Sequence, residues 1–341
     1  MMRNGPFALR LAGLSAALAL AAPSSGQEAP PPAPAPESAP APALAPDAQT
    51  AETLGYEADA STRMTVPVSI DGRGPYAFIV DTGAERTVIS RELARSLALQ
   101  PGRTATVHSM SEVSRIDTVV IPQLRVGSRS VAGIHAPALS RANLGAAGML
   151  GVDSLQRQRV VFDFQNQEMT ISPAGRREQT WPDANTVVVT GRRLYGRLVL
   201  VDASVDGQRV WVIIDTGSQV SVGNGALRAA LLRRRRLGAM FPLQMMSITG
   251  GRIDAEYSVA RRIRIGGLDI HDLPIAFADV HPFRQLRLTD RPALLLGMDA
   301  LRLFQRVSVD FPNHRVRVLL DDSSQLMDTR VARAALPHVA S

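Results

Sequence analysis

An aspartate followed by Thr-Gly occurs twice in the chain, each time at the end of an apolar run. The first is Ile79-Val80-Asp81-Thr82-Gly83-Ala84; the second, 134 residues later, is Ile213-Ile214-Asp215-Thr216-Gly217-Ser218. One such turn carries little meaning, because Asp, Thr and Gly are ordinary turn formers. Two in matched settings suggest a pair of carboxylates brought face to face. Carboxyl groups about 3 Å apart cannot both ionise easily, so they hold one proton between them. One then takes a proton from a water, and the other protonates the carbonyl oxygen as that water attacks. This chemistry asks for no metal and no cofactor, and none is expected. The chain has no Cys, and its six His show no metal-ligand spacing.

The elements that would position the two aspartates are themselves repeated. Val68-Ser69-Ile70-Asp71-Gly72 is echoed by Ser204-Val205-Asp206-Gly207, and each leads through an apolar strand into Asp-Thr-Gly. Leu124-Arg125-Val126-Gly127 matches Ile263-Arg264-Ile265-Gly266. Met149-Leu150-Gly151-Val152-Asp153-Ser154-Leu155 matches Leu295-Leu296-Gly297-Met298-Asp299-Ala300-Leu301, and Val161-Phe162-Asp163-Phe164 matches Ser308-Val309-Asp310-Phe311. The offsets 134, 139, 146 and 147 rise in order, as loop insertions in the second copy would make them. Each copy is mostly strand signal. Met64 to Ile70 and Tyr76 to Val80 form a hairpin across Asp-Gly, as do Leu198 to Val205 and Val210 to Ile214. Short helices are expected at Arg91 to Leu99 behind a Ser90 cap, and at Ala226 to Leu237 behind Asn224 or Gly225. Two more are expected at Asp153 to Gln158 and Asp299 to Gln305, with Asp153 and Asp299 as caps.

Paired Asp-Thr-Gly-Ala/Ser turns, each followed by an apolar-apolar-Gly-x-Asp-x-Leu segment, resemble aspartic proteases of the retropepsin type. Pepsin-like lobes are considerably larger than the spacing here allows. The resemblance covers roughly Tyr56 to Asp321. It implies an all-β-dominated fold, in which two tandem retropepsin-like β-barrel units form an intramolecular pseudodimer. It also implies a catalytic pair, Asp81 and Asp215. Thr82 and Thr216 would lock the loops by crossed hydroxyl bonds, and Gly83 and Gly217 would complete the turns. Ala84 matches the retroviral form of the motif and Ser218 the pepsin form. A Ser218 hydroxyl bonded to Asp215 would favour the ionised form of that carboxylate. Flaps over a substrate groove are expected at Met110 and Ser111 and at Thr249, Gly250 and Gly251, with only the second tip carrying Gly-Gly. The partner would be a polypeptide held extended in the groove, and the chain would act as a monomer. A catalytically inactive peptide-binding module of the same fold is the alternative.

Composition bounds the remainder. Apolar residues make up 45% and charged residues 20%, a globular balance. The formal charge is +7, and all 38 basic residues are arginine. Aromatics are only 4%, so no basic and aromatic interleaving suggests nucleic acid. The Arg233-Arg234-Arg235-Arg236 run suits a solvated helix end. Arg3 and Arg10 precede an apolar stretch from Leu11 to Ala22, shorter than the roughly 20 residues a spanning helix needs. Residues 1–22 are therefore expected to be a secretory signal peptide, with export to the periplasm. An uncleaved anchor in the inner membrane is the alternative. Cleavage there removes two arginines, lowering the charge from +7 to +5. Residues 23–55 form a Pro/Ala-rich linker, 56–175 the first unit, 176–195 a connector, 196–322 the second unit and 323–341 a tail.

Overall fold

Alternating apolar residues and Asp-Gly turns build the first barrel. Met64–Ile70 pairs antiparallel with Arg73–Val80 across Asp71 and Gly72, both at positive φ as a tight hairpin turn requires. The end of the first strand also pairs with Thr118–Val126. From Arg73–Val80 the sheet continues through Gly148–Leu150, Val88–Ser90, Arg129–Leu139 and back to Thr118–Val126, so six strands close on themselves. Val66, Val68, Ile70, Phe78, Val80, Ile121 and Leu124 fill the interior. This is a computed structural model, and it describes residues 52–55, 57–58, 63–155, 158–173, 181, 185–194 and 197–320. The expected signal peptide, most of the Pro/Ala linker and the tail lie outside the described residues.

The second unit follows the same plan but as an open path of strands, with Phe241–Met246 paired onto the main sheet, whereas Ala105–His108 and Val113–Ile116 pair apart from the first unit's sheet. The second unit's first strand is split at Val201-Asp202. Arg197–Leu200 pairs with Trp211–Ile214, while Ala203–Val205 pairs with Arg252–Ile265. The sheet between them runs through Ala293–Leu296, Val222–Gly223 and Leu268–Phe277.

A six-stranded sheet joins the units. Its order is Glu52–Gly55, Glu168–Pro173, Gln158–Asp163, Arg306–Asp310, Arg315–Leu319 and Thr186–Thr190. The order is symmetric about its middle pair, where Val160 faces Val309 and Phe162 faces Val307. These four side chains are buried, so the apolar core runs from one unit into the other. Glu52–Gly55, assigned from sequence to the linker, is thus the edge strand of this sheet.

Both helix caps are as expected: Ser90 Oγ accepts from Leu93 N at 3.1 Å, and Asn224 Oδ1 from Leu227 N at 2.9 Å. Both helices end earlier than expected. The first spans Arg91–Ser96 and closes on Ala98, at φ 53°. The second spans Gly225–Arg233 and closes on Arg235, at φ 52°. A left-handed residue at a helix end is usually Gly, so neither stop carries its usual signal. Arg233 to Arg236 are exposed. Arg234 and Arg236 donate to the carbonyls of Gly207 and Asp206. The remaining short helices shrink to Val152–Ser154 and Met298–Leu301. No helix among the described residues is long and apolar enough to cross a membrane.

Candidate active site

Each aspartate is delivered by a buried strand and held by its neighbour in the sheet. Asp81 N donates to Leu150 O and Asp215 N to Leu296 O, both at 3.0 Å. The turns then fold back onto the carboxylates. Gly83 N and Ala84 N donate to Asp81 Oδ1 at 2.7 and 3.0 Å. Gly217 N and Ser218 N donate to Asp215 Oδ1 at 3.0 and 3.2 Å. The glycines have a second role that only the assembled site reveals. A Cβ on Gly83 would lie 2.5–2.6 Å from the carboxylate of Asp215, and a Cβ on Gly217 would overlap that of Asp81. Each carboxylate therefore sits against the other unit's turn, and both aspartates are less than a tenth exposed.

The threonines clasp the two turns. Thr82 N donates to Thr216 Oγ1 at 3.0 Å and Thr216 N to Thr82 Oγ1 at 3.2 Å. Each hydroxyl then donates across the boundary: Thr82 Oγ1 to Ile214 O at 3.2 Å, Thr216 Oγ1 to Val80 O at 2.7 Å. Four crossed bonds in a buried setting fix the separation of the aspartates more firmly than either turn could alone. Ser218 departs from expectation. Its hydroxyl donates to Val220 O at 2.8 Å, so only its backbone N–H reaches Asp215. Each aspartate thus accepts from two backbone N–H groups of its own turn.

Behind each turn lies the Leu-Gly element. Val152 N donates to Ala84 O at 2.8 Å and Met298 N to Ser218 O at 2.9 Å. The aspartates of these elements are not helix caps, since Gly151 and Gly297 occupy the cap positions. Instead they hold the chain just after each turn. Thr87 donates to Asp153 through its N–H and through its hydroxyl, at 2.9 Å. Ser221 donates to Asp299 through its N–H at 2.8 Å and its hydroxyl at 2.7 Å. Burial pushes both carboxyl groups above the ordinary range, against the pull of these hydrogen bonds; Asp299 rises to about 6. Sequence reasoning missed this pair, although the signal was present: Thr87 and Ser221 stand at the same offset of 134 as the active turns.

Two hairpins carry the remaining predicted residues. The first joins Ala105–His108 to Val113–Ile116 and has Met110 and Ser111 at its tip. The second joins Phe241–Met246 to Arg252–Ile265 and has Thr249, Gly250 and Gly251 at its tip. The tips meet: Thr249 Oγ1 donates to Ser109 Oγ at 3.1 Å. Each inserts an apolar residue into the opposite unit. Met110 packs on the cluster of Ile213, Val280 and Phe283, and Ile248 on that of Ile79, Leu144 and Met149. The Gly-Gly pair serves close approach as well as turning. Gly250 has φ 92°, and a Cβ on Gly251 would overlap Ser111 Oγ.

Comparison with known families gives two matches in tandem. A family described as "gag-polyprotein putative aspartyl protease" matches residues 66–157, and one described as "Aspartyl protease" matches residues 201–300. The chain is a retropepsin-like aspartic protease with two tandem units. No curated protein matches it. The two family matches fall on the two units, and each contains one Asp-Thr-Gly turn and its Leu-Gly-x-Asp element. Among the described residues of this protease, no cluster of His, Asp and Glu could hold a metal ion.

Proposed function

We propose that the chain is an exported aspartic endopeptidase, in which Asp81 and Asp215 jointly activate one water. The observation that carries this reading is the mutual contact of each carboxylate with the opposite glycine turn. With one proton between the pair, the ionised aspartate takes a proton from water, and the water oxygen attacks the peptide carbonyl carbon. The protonated aspartate gives its proton to the carbonyl oxygen. As the tetrahedral intermediate collapses, one of its hydroxyls returns a proton to the second aspartate, the C–N bond breaks, and the leaving amine takes the proton that the first aspartate had received. An extended polypeptide would lie between the two units under the hairpins, with main-chain hydrogen bonds along the groove. Thr82 and Thr216 hold the separation, Gly83 and Gly217 permit it, and Met110, Ser111, Thr249, Gly250 and Gly251 form the cover. The six-stranded sheet built from both units supports action as a monomer.

The substrates proposed are periplasmic proteins or the periplasmic parts of membrane proteins. This rests on the Arg-flanked apolar run at residues 1–22; if that segment is retained, the protease is tethered to the inner membrane. Cleavage of a peptide library by the purified chain between pH 3 and 7, with Asp81→Asn and Asp215→Asn alongside, tests the mechanism. Cleavage that survives either substitution rules out the shared-water mechanism. Wild-type chain that binds peptides and never cuts them is instead a binding module.

A further inference from the structure

The two hairpins are not held alike. Each closes its tip on itself, the first through Ser109 N to Glu112 O at 2.9 Å, the second through Ser247 N to Gly251 O and Gly250 N to Ser247 O, both at 2.8 Å. Among the described residues, no main-chain hydrogen bond joins the second tip to the first unit. The first hairpin is fastened across the unit boundary. His281 N donates to Met110 O at 2.8 Å, and the His281 ring meets His108, Nε2 to Nδ1, at 2.6 Å with ring centroids 4.8 Å apart. His281 begins the short helix His281–Gln285, so its N–H has no acceptor within that helix. The same helix reaches the loop after the first active turn, where Gln285 Nε2 donates to Glu85 Oε1 at 2.7 Å. The second-unit helix thus straps down both the first hairpin and the first active loop.

We propose that His281 is a positioning residue that pins the first hairpin over the groove, and that the second hairpin alone opens to admit substrate. The proposal rests on the endopeptidase reading for its consequence, and on the hydrogen bonds above for its mechanics. Met110 O is tied by a backbone donor that side-chain truncation leaves in place, and the imidazole pair adds a second tie. Among the described residues, the second tip meets the first unit through one hydroxyl bond, the apolar contact of Ile248 and the close approach of Gly251 to Ser111, all of which can be released without breaking a main-chain bond.

Hydrogen exchange on the full chain tests the pinning without requiring activity. In wild type the amides of residues 109–112 are expected to exchange at least tenfold more slowly than those of 247–251. His281→Pro removes the N–H at a first helical position, where proline fits, and Val280 before it already has the extended backbone proline prefers. It should bring the two tips to similar rates. With a cleaved peptide it should raise KM roughly tenfold, with kcat changed less than about threefold. His281→Gln, which keeps the N–H and a side-chain donor, should retain the wild-type pattern. His108→Leu removes the ring tie alone and should accelerate the first tip even if His281→Pro does not fold. Equal exchange of the two tips in wild type, or a first tip indifferent to both His281→Pro and His108→Leu, overturns the proposal. Failure of wild type to cleave any peptide sinks the endopeptidase reading and leaves the exchange result to decide the pinning.

Discussion

The hydrogen bonds around the two aspartates match between the units to within about half an ångström, and the units diverge away from them. Asp81 N and Asp215 N donate to Leu150 O and Leu296 O at the same length, and the bonds that Val152 N and Met298 N donate to the turns differ by 0.1 Å. Yet the strand that seals the first barrel is continuous from Met64 to Ile70, while its counterpart breaks at Val201-Asp202. One hairpin is pinned by His281; the other has a Gly-Gly tip. A barrel seam tolerates a break because each half-strand keeps its own partner, whereas the turns face each other and cannot shift independently. The constraint lies on the contact between the units.

The comparison can be broken at the centre first. Asp81→Asn and Asp215→Asn should each lower kcat/KM on the order of 10³-fold, since each removes one half of a proton-transfer pair. Gly83→Ala and Gly217→Ala should be comparably inactive, because the added methyl overlaps the opposite carboxylate. A peptide-cleavage assay in which one half tolerates its change would show that the halves do unequal work.

Next is the clasp. Thr82→Val and Thr216→Val each remove a buried hydroxyl and should cost about 1–3 kcal/mol in urea unfolding. Thr216 should cost more, since it is fully buried and its bond to Val80 O is the shorter one. The reverse order would mean that the first unit bears the clasp.

The buried carboxyl groups behind the turns give a pH signature. Asp299 is raised to about 6, so between about pH 4 and 6 the folded chain keeps a proton that the unfolded chain has lost. The stability linked to this group is full below about pH 4 and lost as pH rises through 6, by up to about 3 kcal/mol. Asp299→Asn should flatten that part of the stability-against-pH curve, measured by denaturant unfolding at pH 4, 5 and 7. Asp153, also raised, should give a change of the same sign.

The smallest effects are at the helix stops. Ala98→Gly and Arg235→Gly relieve left-handed backbone and should each raise stability by about 0.5 kcal/mol in thermal melts. A gain at Ala98 with a loss at Arg235 would show that the arginine's own contacts outweigh its backbone cost.

Local signals were legible where the partner is near in sequence. Ser90 and Asn224 cap by reaching three residues ahead, and the Asp-Gly hairpins turn on adjacent residues. Signals failed where the partner is distant. Asp153 and Asp299 look like caps, but their main donors stand 66 and 78 residues away. Ser218 is an exception at short range: its hydroxyl donates to Val220 O, two residues ahead, rather than to Asp215. The edge strand Glu52–Gly55 has no apolar alternation of its own, because its place in the sheet comes from pairing with Glu168–Pro173.

By itself the sequence determined that the chain is a duplicated β unit bearing two Asp-Thr-Gly turns, because strand alternation, turn chemistry and repeated spacing are properties of neighbouring residues. Only the tertiary structure decided that each glycine faces the opposite carboxylate, that the threonines cross, and that His281 meets the first hairpin. Those contacts join residues 132 to 173 positions apart, and their distances depend on how the two units dock through a shared sheet.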